Sequence, residues 1–272
     1  MAKQRIDEAL VALGLVESVE MARALIMAGR VYMAEEKVNK PSEWAKPGLA
    51  LRVREKNRAF VSRGGLKLQK ALEVFKIDAR GRACIDVGAS TGGFTDAMLH
   101  AGASSVYAVD VGYGQLDFTL RRDPRVCVME RTNARFLTPE MFDPRPSFGA
   151  TDVSFISLKA VLPAALSVLE GSDRRFVALV KPQFEAAAEL VGPKGVVRDS
   201  GVHRDIIEGI CGFVEGIGWR ATGLNFSPIT GPEGNIEFLL DLHPQDATSI
   251  AIKSSDILLI CQRASNNFMK LP

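Results

Sequence analysis

From residue 62 onward the chain alternates short apolar runs with amphipathic stretches, and the first junction between the two breaks into glycine. In ACIDVGASTGGFTDAML the apolar run Ala83–Val87 stops at Gly88, the turn passes through Gly92 and Gly93, and a helical pattern begins at Thr95. Ala83–Val87, Ser105–Asp110, Arg125–Glu130, Phe148–Asp152, Arg175–Lys181 and Ile236–Leu242 have the length and apolar character of strands. Thr95–Ala101, Gln115–Arg121, Ile156–Leu169 and His203–Ile217 lie between them with helical spacing. Strands joined through helices pair side by side in one direction. The pattern therefore predicts an α/β fold, a mainly parallel sheet covered on both faces. A last helix is predicted over 247–263, with Ile250, Ala251, Ile257, Leu258 and Cys261 on its apolar side.

Residues before about 60 have another texture. Ile6, Ala9, Leu10 and Leu13 share one helical face, and Gly14 stops it. Ser18 is placed to cap a second helix carrying Met21, Ala22, Leu25 and Ile26, which ends at Gly29. Val31–Met33 and Leu49–Val53 read as short strands, with turns at Lys40-Pro41-Ser42 and Lys46-Pro47-Gly48. Two domains follow, 1–57 and 63–272, with 58–62 as linker. Residues 1–61 hold eleven Lys and Arg against eight Asp and Glu; the rest of the chain holds 23 against 24. This modest basic excess fits a solvated surface as well as a nucleic-acid face.

Composition removes several classes. At 47% hydrophobic and 24% charged, 272 residues can form a packed core. No clean apolar run exceeds that of Phe176–Val180 or Ile257–Cys261, far short of the roughly 20 residues of a spanning helix. MAKQRIDEAL has no apolar signal core, so a cytoplasmic location is expected. Cys84, Cys127, Cys211 and Cys261 are scattered without a CxxC pair, and there are three histidines, so neither a disulfide frame nor a metal centre is expected. Cys84 and Cys127 fall in strand candidates and read as buried, inert thiols.

The glycine turn after Ala83–Val87 sits where doubly wound sheets bind ligands, at the carboxyl edge of the strands. Asp110 ends the next strand, 22 residues after Gly88, where a carboxylate accepts hydrogen bonds from a ribose diol. The spacing is GxxxGG rather than the GxGxxG of nicotinamide sites, and no GK[ST] ends it as in a P-loop. A tight structural turn would use the same glycines. DxGxxxGG followed by an acid on the next strand resembles the S-adenosylmethionine site of class I methyltransferases. That resemblance implies that Asp86, Gly88, Ala89, Ser90, Gly92, Gly93, Phe94, Asp110 and Asp152 surround this cofactor.

Four polar residues sit at strand ends or beside them: Lys67 in SRGGLKL, Asp152 in ATDVSF, Lys181 in ALVKPQFE and Glu237 in GNIEFLL. Singly, Lys67 and Glu237 read as ordinary ion pairs. A lysine directly after a buried strand and before proline, as at Lys181, is aimed into a cleft. In this chain order the set resembles the catalytic tetrad of FtsJ-like RNA 2′-O-methyltransferases. The resemblance makes Lys181 the central lysine, with Lys67 and Glu237 orienting the ribose and Asp152 between cofactor and lysine. A ribose hydroxyl is a poor nucleophile near neutral pH, and a desolvated lysine can take its proton or stabilise the forming alkoxide.

The ordered segments RIDEALVALGLVES, ALIMAGRVY, VSRGGLKLQKAL, DVGASTGGFTD, DVGYGQL, ERTNAR, DVSFISL, VKPQFE and GPEGNIEF together resemble the TlyA family, which has also been called hemolysins. This implies an S4-type RNA-binding domain ahead of an FtsJ-like domain, a monomer, and methylation of cytidine 2′-hydroxyls in 16S rRNA, 23S rRNA or both, with ribosomal subunits as partners. It places Asn133 at the adenine end of the cofactor and leaves Arg5, Arg23, Arg30, Lys37 and Lys40 to meet RNA. Two features depart from S4-type modules: Val19-Glu20 stands where a basic residue follows the serine, and Met33-Ala34-Glu35 replaces VNG. The competing readings are a base-directed methyltransferase, a ribosome-binding assembly factor and a pore-forming hemolysin.

Overall fold

The computed structural model describes residues 4–34, 36–46, 50–53, 59–245 and 250–268. The chain divides into two compact units, 1–58 and 59–272. The first contains α1 (Ile6–Ala12), α2 (Val19–Met27), β1 (Val31–Met33), β2 (Glu36–Lys37) and β3 (Leu51–Val53). Its strands form an antiparallel sheet in the order β2–β1–β3. Ile6, Leu10, Ala22, Ile26 and Val31 meet in its core, and Ser18 caps α2 by accepting from the Met21 amide at 3.2 Å. Leu49, Pro47, Gly48, Glu35 and Arg58 lie outside the described residues.

The second unit runs α3 (Gly64–Val74), β4 (Ala83–Val87), α4 (Gly93–His100), β5 (Ser105–Val109), α5 (Phe118–Arg121), β6 (Val126–Met129), β7 (Phe148–Thr151), α6 (Leu158–Ser167), β8 (Arg175–Val180), α7 (Ser200–Gly216), β9 (Trp219–Phe226), β10 (Phe238–Pro244) and α8 (Ser254–Phe268). The seven strands order as β6–β5–β4–β7–β8–β10–β9, and β10 alone runs against the others. This is the seven-stranded α/β sheet of class I methyltransferases.

Side chains alternate across a strand with period two, so the sheet feeds two cores. Cys84, Val106 and Ala108 join α3, α4 and Leu120 of α5 on one face; Ile85, Val87, Tyr107 and Val109 join α6, α7 and α8 on the other. Among the described residues no helix is long and apolar enough to cross a membrane.

Several expectations need correction. Helix α3 occupies GGLKLQKALEV, a segment to which the sequence pattern assigns no element because two glycines open it; packing of Leu68 and Ala71 into the core overrides that weak start. Strand β9 has no counterpart in the sequence pattern, since Gly223 interrupts its alternation. The last helix starts at Ser254, not 247, and runs to Phe268; 246–249 lie outside the described residues. The strand at 236–242 shifts to 238–244. The helix at 115–121 shrinks to Phe118–Arg121 because Gln115–Asp117 is spent on the turn and the cap. Cys127 is exposed on the edge strand β6 rather than buried.

Candidate active site

The carboxyl edge of the parallel strands gathers the acids and lysines. Asp110, Asp152 and Lys181 follow the ends of β5, β7 and β8 directly. Glu237 reaches the same edge for the opposite reason. It precedes β10, the reversed strand, and Phe238 pairs with Val180. Lys67 arrives from the first turn of α3, whose Gly64 packs against Gly93: a Cβ on Gly93 would stand 2.3 Å from Ser62 Oγ and 3.2 Å from Gly64 Cα. Gly92 turns the chain into α4 from the left-handed region, φ 93°.

These side chains form one ionic chain. Lys67 Nζ lies 2.7 Å from Glu237 Oε2 and 3.3 Å from Asp152 Oδ2. The other oxygen of Asp152 lies 2.6 Å from Lys181 Nζ, which also donates to Ser154 Oγ at 2.8 Å. Lys67, Lys181 and Glu237 are buried. Burial works against the Lys67 ammonium, but Asp152 and Glu237 outweigh it and hold its pKa above the ordinary value. Burial pushes Glu237 up, and Lys67 offsets only part of that. The carboxyl edge thus holds a lysine locked in its charged form beside a second lysine with one carboxylate oxygen and one hydroxyl.

Two cavities open here and share Gly88, Ser90, Asp152 and Ser154. The larger, about 520 Å³, is lined by Asp110, Val111, Asn133 and Ala134. The smaller, about 250 Å³, is lined by Lys67, Asp86, Gly93, Phe94, Lys181 and Glu237 among others; Ala89 borders it and Gly92 borders neither. Asp110 is preset by the glycine turn, accepting from the Ser90 amide at 2.7 Å and the Gly112 amide at 2.6 Å. Asn133 accepts from the Arg135 amide at 3.1 Å. Asp86 is fully buried. Its Oδ2 accepts from the amide and hydroxyl of Thr95, at 2.8 and 2.7 Å, while Oδ1 has no hydrogen-bond partner among the described residues. Burial pushes its pKa to about 7, against the pull of Thr95.

The tetrad and the cofactor-loop residues of the sequence are thus brought to one edge. The basic residues of the first unit are not gathered in this way. Arg5 grips the buried Asp7 through two nitrogens, at 2.8 and 3.1 Å, and Arg23 adds a third contact at 2.9 Å. Lys37 and Lys40 are exposed and Arg30 is half-buried. Sequence reasoning passes over three participants. Ser154 touches Lys181; Thr95 holds Asp86; Glu185 accepts from the Leu158 amide and Ser157 hydroxyl, both at 2.7 Å, tying the loop after β8 to the start of α6. Ser154 stands in plain view inside DVSFISL, two residues from Asp152. The other two have no signal short of the fold.

Residues 60–243 match the model of the FtsJ-like methyltransferases, and residues 4–50 match the S4 domain. YqxC of Bacillus subtilis is 52% identical over 89% of this chain and 86% of its own. The 16S/23S rRNA (cytidine-2′-O)-methyltransferase TlyA of Mycobacterium tuberculosis is 45% identical over 92% of this chain and 94% of its own. A solved Streptococcus thermophilus structure, 44% identical, covers 99% of this chain and 98% of its own with a TM-score of 0.75. The chain therefore belongs to the FtsJ-like methyltransferases, in their TlyA family, with an S4 domain preceding the methyltransferase domain in sequence.

Proposed function

We propose that the protein methylates the 2′-hydroxyl of cytidine in ribosomal RNA, using S-adenosylmethionine. The observation that carries the reading is the unbroken chain Glu237–Lys67–Asp152–Lys181, which lines the smaller of two cavities that share four wall residues. The substrate class rests on the likeness to the mycobacterial rRNA methyltransferase and on the S4 domain.

The cavity residues suit this cofactor. The larger space is of the size that ligands of this class occupy. In the larger cavity Asp110 is read as the partner of a ribose diol and Asn133 of the adenine end; in the smaller one the orphaned Oδ1 of Asp86 is read as the partner of a cationic amino group. Gly88, Ala89, Ser90, Gly93 and Phe94 line the smaller cavity, Gly88 and Ser90 the larger as well, and Gly92 turns the chain beside them. When bound, the cofactor supplies an electrophilic methyl group on sulfonium. Lys181 takes the proton from O2′ as that oxygen acquires the methyl group. Asp152 holds Lys181 and, through its second oxygen, Lys67. Lys67 stays an ammonium and donates to the ribose, and Glu237 keeps it there. Positioning of this kind accounts for several kcal/mol of a barrier. A base-directed reaction at pyrimidine carbon would need a thiolate at the site. Burial raises the Cys84 thiol to about 12, and Cys127 lines neither cavity.

The test is transfer of labelled methyl from S-adenosylmethionine to purified small and large ribosomal subunits. Label in alkali-resistant dinucleotides, lost with Lys181→Ala, is the expected result, and the labelled subunit identifies the target. Label in a base, or no label with cofactor bound, overturns the reading.

A further inference from the structure

The two lysines of the site are partnered unequally. Lys67 faces two carboxylates, Glu237 and Asp152. Lys181 shares one oxygen of Asp152, and where a second carboxylate would stand it finds the hydroxyl of Ser154. An amine nitrogen has three positions besides its carbon. At Lys181 one is taken by the hydrogen bond to Ser154 at 2.8 Å, and Asp152 Oδ1 stands 2.6 Å away as its ion-pair partner. All three residues line the smaller cavity, from which substrate reaches Nζ. With Ser154 hydrogen-bonded on one side and Asp152 paired on another, Nζ meets the ribose oxygen from the cavity that all three residues line. Ser154 thus fixes the direction of the proton acceptor without adding charge.

We infer that Ser154 is a positioning residue for the methyl transfer: its hydroxyl aims Lys181 Nζ at the ribose oxygen without placing a second carboxylate beside it. This deepens the proposed reaction and rests on it. The segment is built for the task. Phe155, directly after Ser154, takes a left-handed φ of 63° and packs its ring 5.0 Å from Phe184. Ser157 and Leu158 are held by Glu185 from the loop that carries Lys181. The strands β7 and β8 therefore deliver Ser154 and Lys181 on two loops tied to each other. The charged groups around Lys181 are Asp152 after β7, Glu237 before β10, Lys67 on α3, Asp86 in β4 and Arg63 at the cavity wall.

The experiment follows labelled methyl transfer to ribosomal subunits by the full chain over a range of pH, for the wild type, Lys181→Ala, Ser154→Ala, Ser154→Thr and Ser154→Asp. Ser154→Ala is expected to lower kcat about tenfold, the worth of one well-placed hydrogen bond, with KM for RNA unchanged. Ser154→Thr restores most of it. Ser154→Asp gives Lys181 a second carboxylate, so the acidic limb of the kcat profile moves to higher pH. Thermal melts identify any variant that fails to fold; should Ser154→Asp fail, the alanine and threonine pair decides. Alanine activity equal to wild type, or an aspartate variant with an unmoved limb, overturns the inference. Wild-type activity lost in Lys181→Ala but indifferent to Ser154 overturns it alone, whereas an inactive wild type overturns the proposed reaction as well.

Discussion

One antiparallel strand pair, β8 and β10, carries a buried ionic cluster at each end, and the two are built differently. At one end Arg175 opens β8 and forks onto Asp241 of β10, Nε to Oδ1 at 2.7 Å and Nη2 to Oδ2 at 2.6 Å. Its Nη2 also donates to the Phe75 carbonyl at 2.8 Å, and Thr222 donates to Asp241 at 3.1 Å. At the other end Lys181 leaves β8 and Glu237 enters β10. Burial acts to raise both carboxyls. At Asp241, Arg175 and His243 outweigh it and hold the pKa below the ordinary range; at Glu237 the lysine does not, and the pKa stays raised. A planar guanidinium fills both oxygens of its partner and never loses its proton. A lysine is a point charge whose proton moves with its surroundings. The arginine end closes the sheet; the lysine end leaves room for chemistry.

The sharpest way to break this contrast is to cut each end. Lys181→Ala should lower methyl transfer by at least about a thousandfold, while the melting temperature moves little, because Asp152 keeps Lys67. Asp241→Ala should do the reverse. It leaves Arg175, half-buried, without its carboxylate, a loss of about 3 kcal/mol. Urea unfolding should show that loss, with the folded fraction still active. Two variants that lose activity and stability in equal measure would erase the distinction.

A smaller effect separates the cavity from the core. Asp86 has its carboxyl raised to about 7 by burial. A raised acid favours folding when protonated, so this contribution is complete below the ordinary carboxylate pKa and is lost as pH rises towards 7. Asp86→Asn removes that loss and keeps an oxygen for Thr95. Its melting temperature should exceed the wild type's by a few degrees above neutral pH and not at acidic pH, while cofactor affinity falls. Differential scanning and titration calorimetry check the two halves. A lower melting temperature at alkaline pH would place Asp86 with Asp241 as a structural acid.

The contrast also marks what the sequence could and could not say. The tetrad is legible because strand ends converge in a doubly wound sheet, so Asp152 and Lys181 need only the strand pattern. Glu237 lands beside them only because β10 runs backwards, and periodicity carries no strand direction. Arg175 and Asp241 are invisible for that reason as well: they sit 66 residues apart and meet only through the antiparallel register. Helix α3 hides behind Gly64 and Gly65, which are small where Gly93 and the ring of Phe60 approach them. Local pattern reports what one element wants; these features depend on which element arrives next to it.

The first unit repeats the arginine design at smaller scale, and the effect there should be the smallest. Asp7 is fully buried at the start of α1, where burial would raise its carboxyl; Arg5 and Arg23 outweigh that and hold it low. Its contribution is therefore present above the ordinary carboxylate pKa and is lost as pH falls through the lower folded value. Arg23 is half exposed, and a pair open to water on one side is worth under about 1 kcal/mol. Arg23→Gln should loosen α1 and α2 by that much in hydrogen exchange. If Arg23 serves Asp7 rather than RNA, the variant leaves the salt dependence of rRNA binding as it was. Lys40 is exposed and has no ion pair among the described residues, so its ammonium is placed to meet a phosphate. Lys40→Gln should therefore reduce that slope by about 0.7–0.9, the share of a single phosphate. A slope reduced by Arg23→Gln and indifferent to Lys40→Gln would reverse the assignment, making the arginine the group that meets RNA and Asp7 merely its holder.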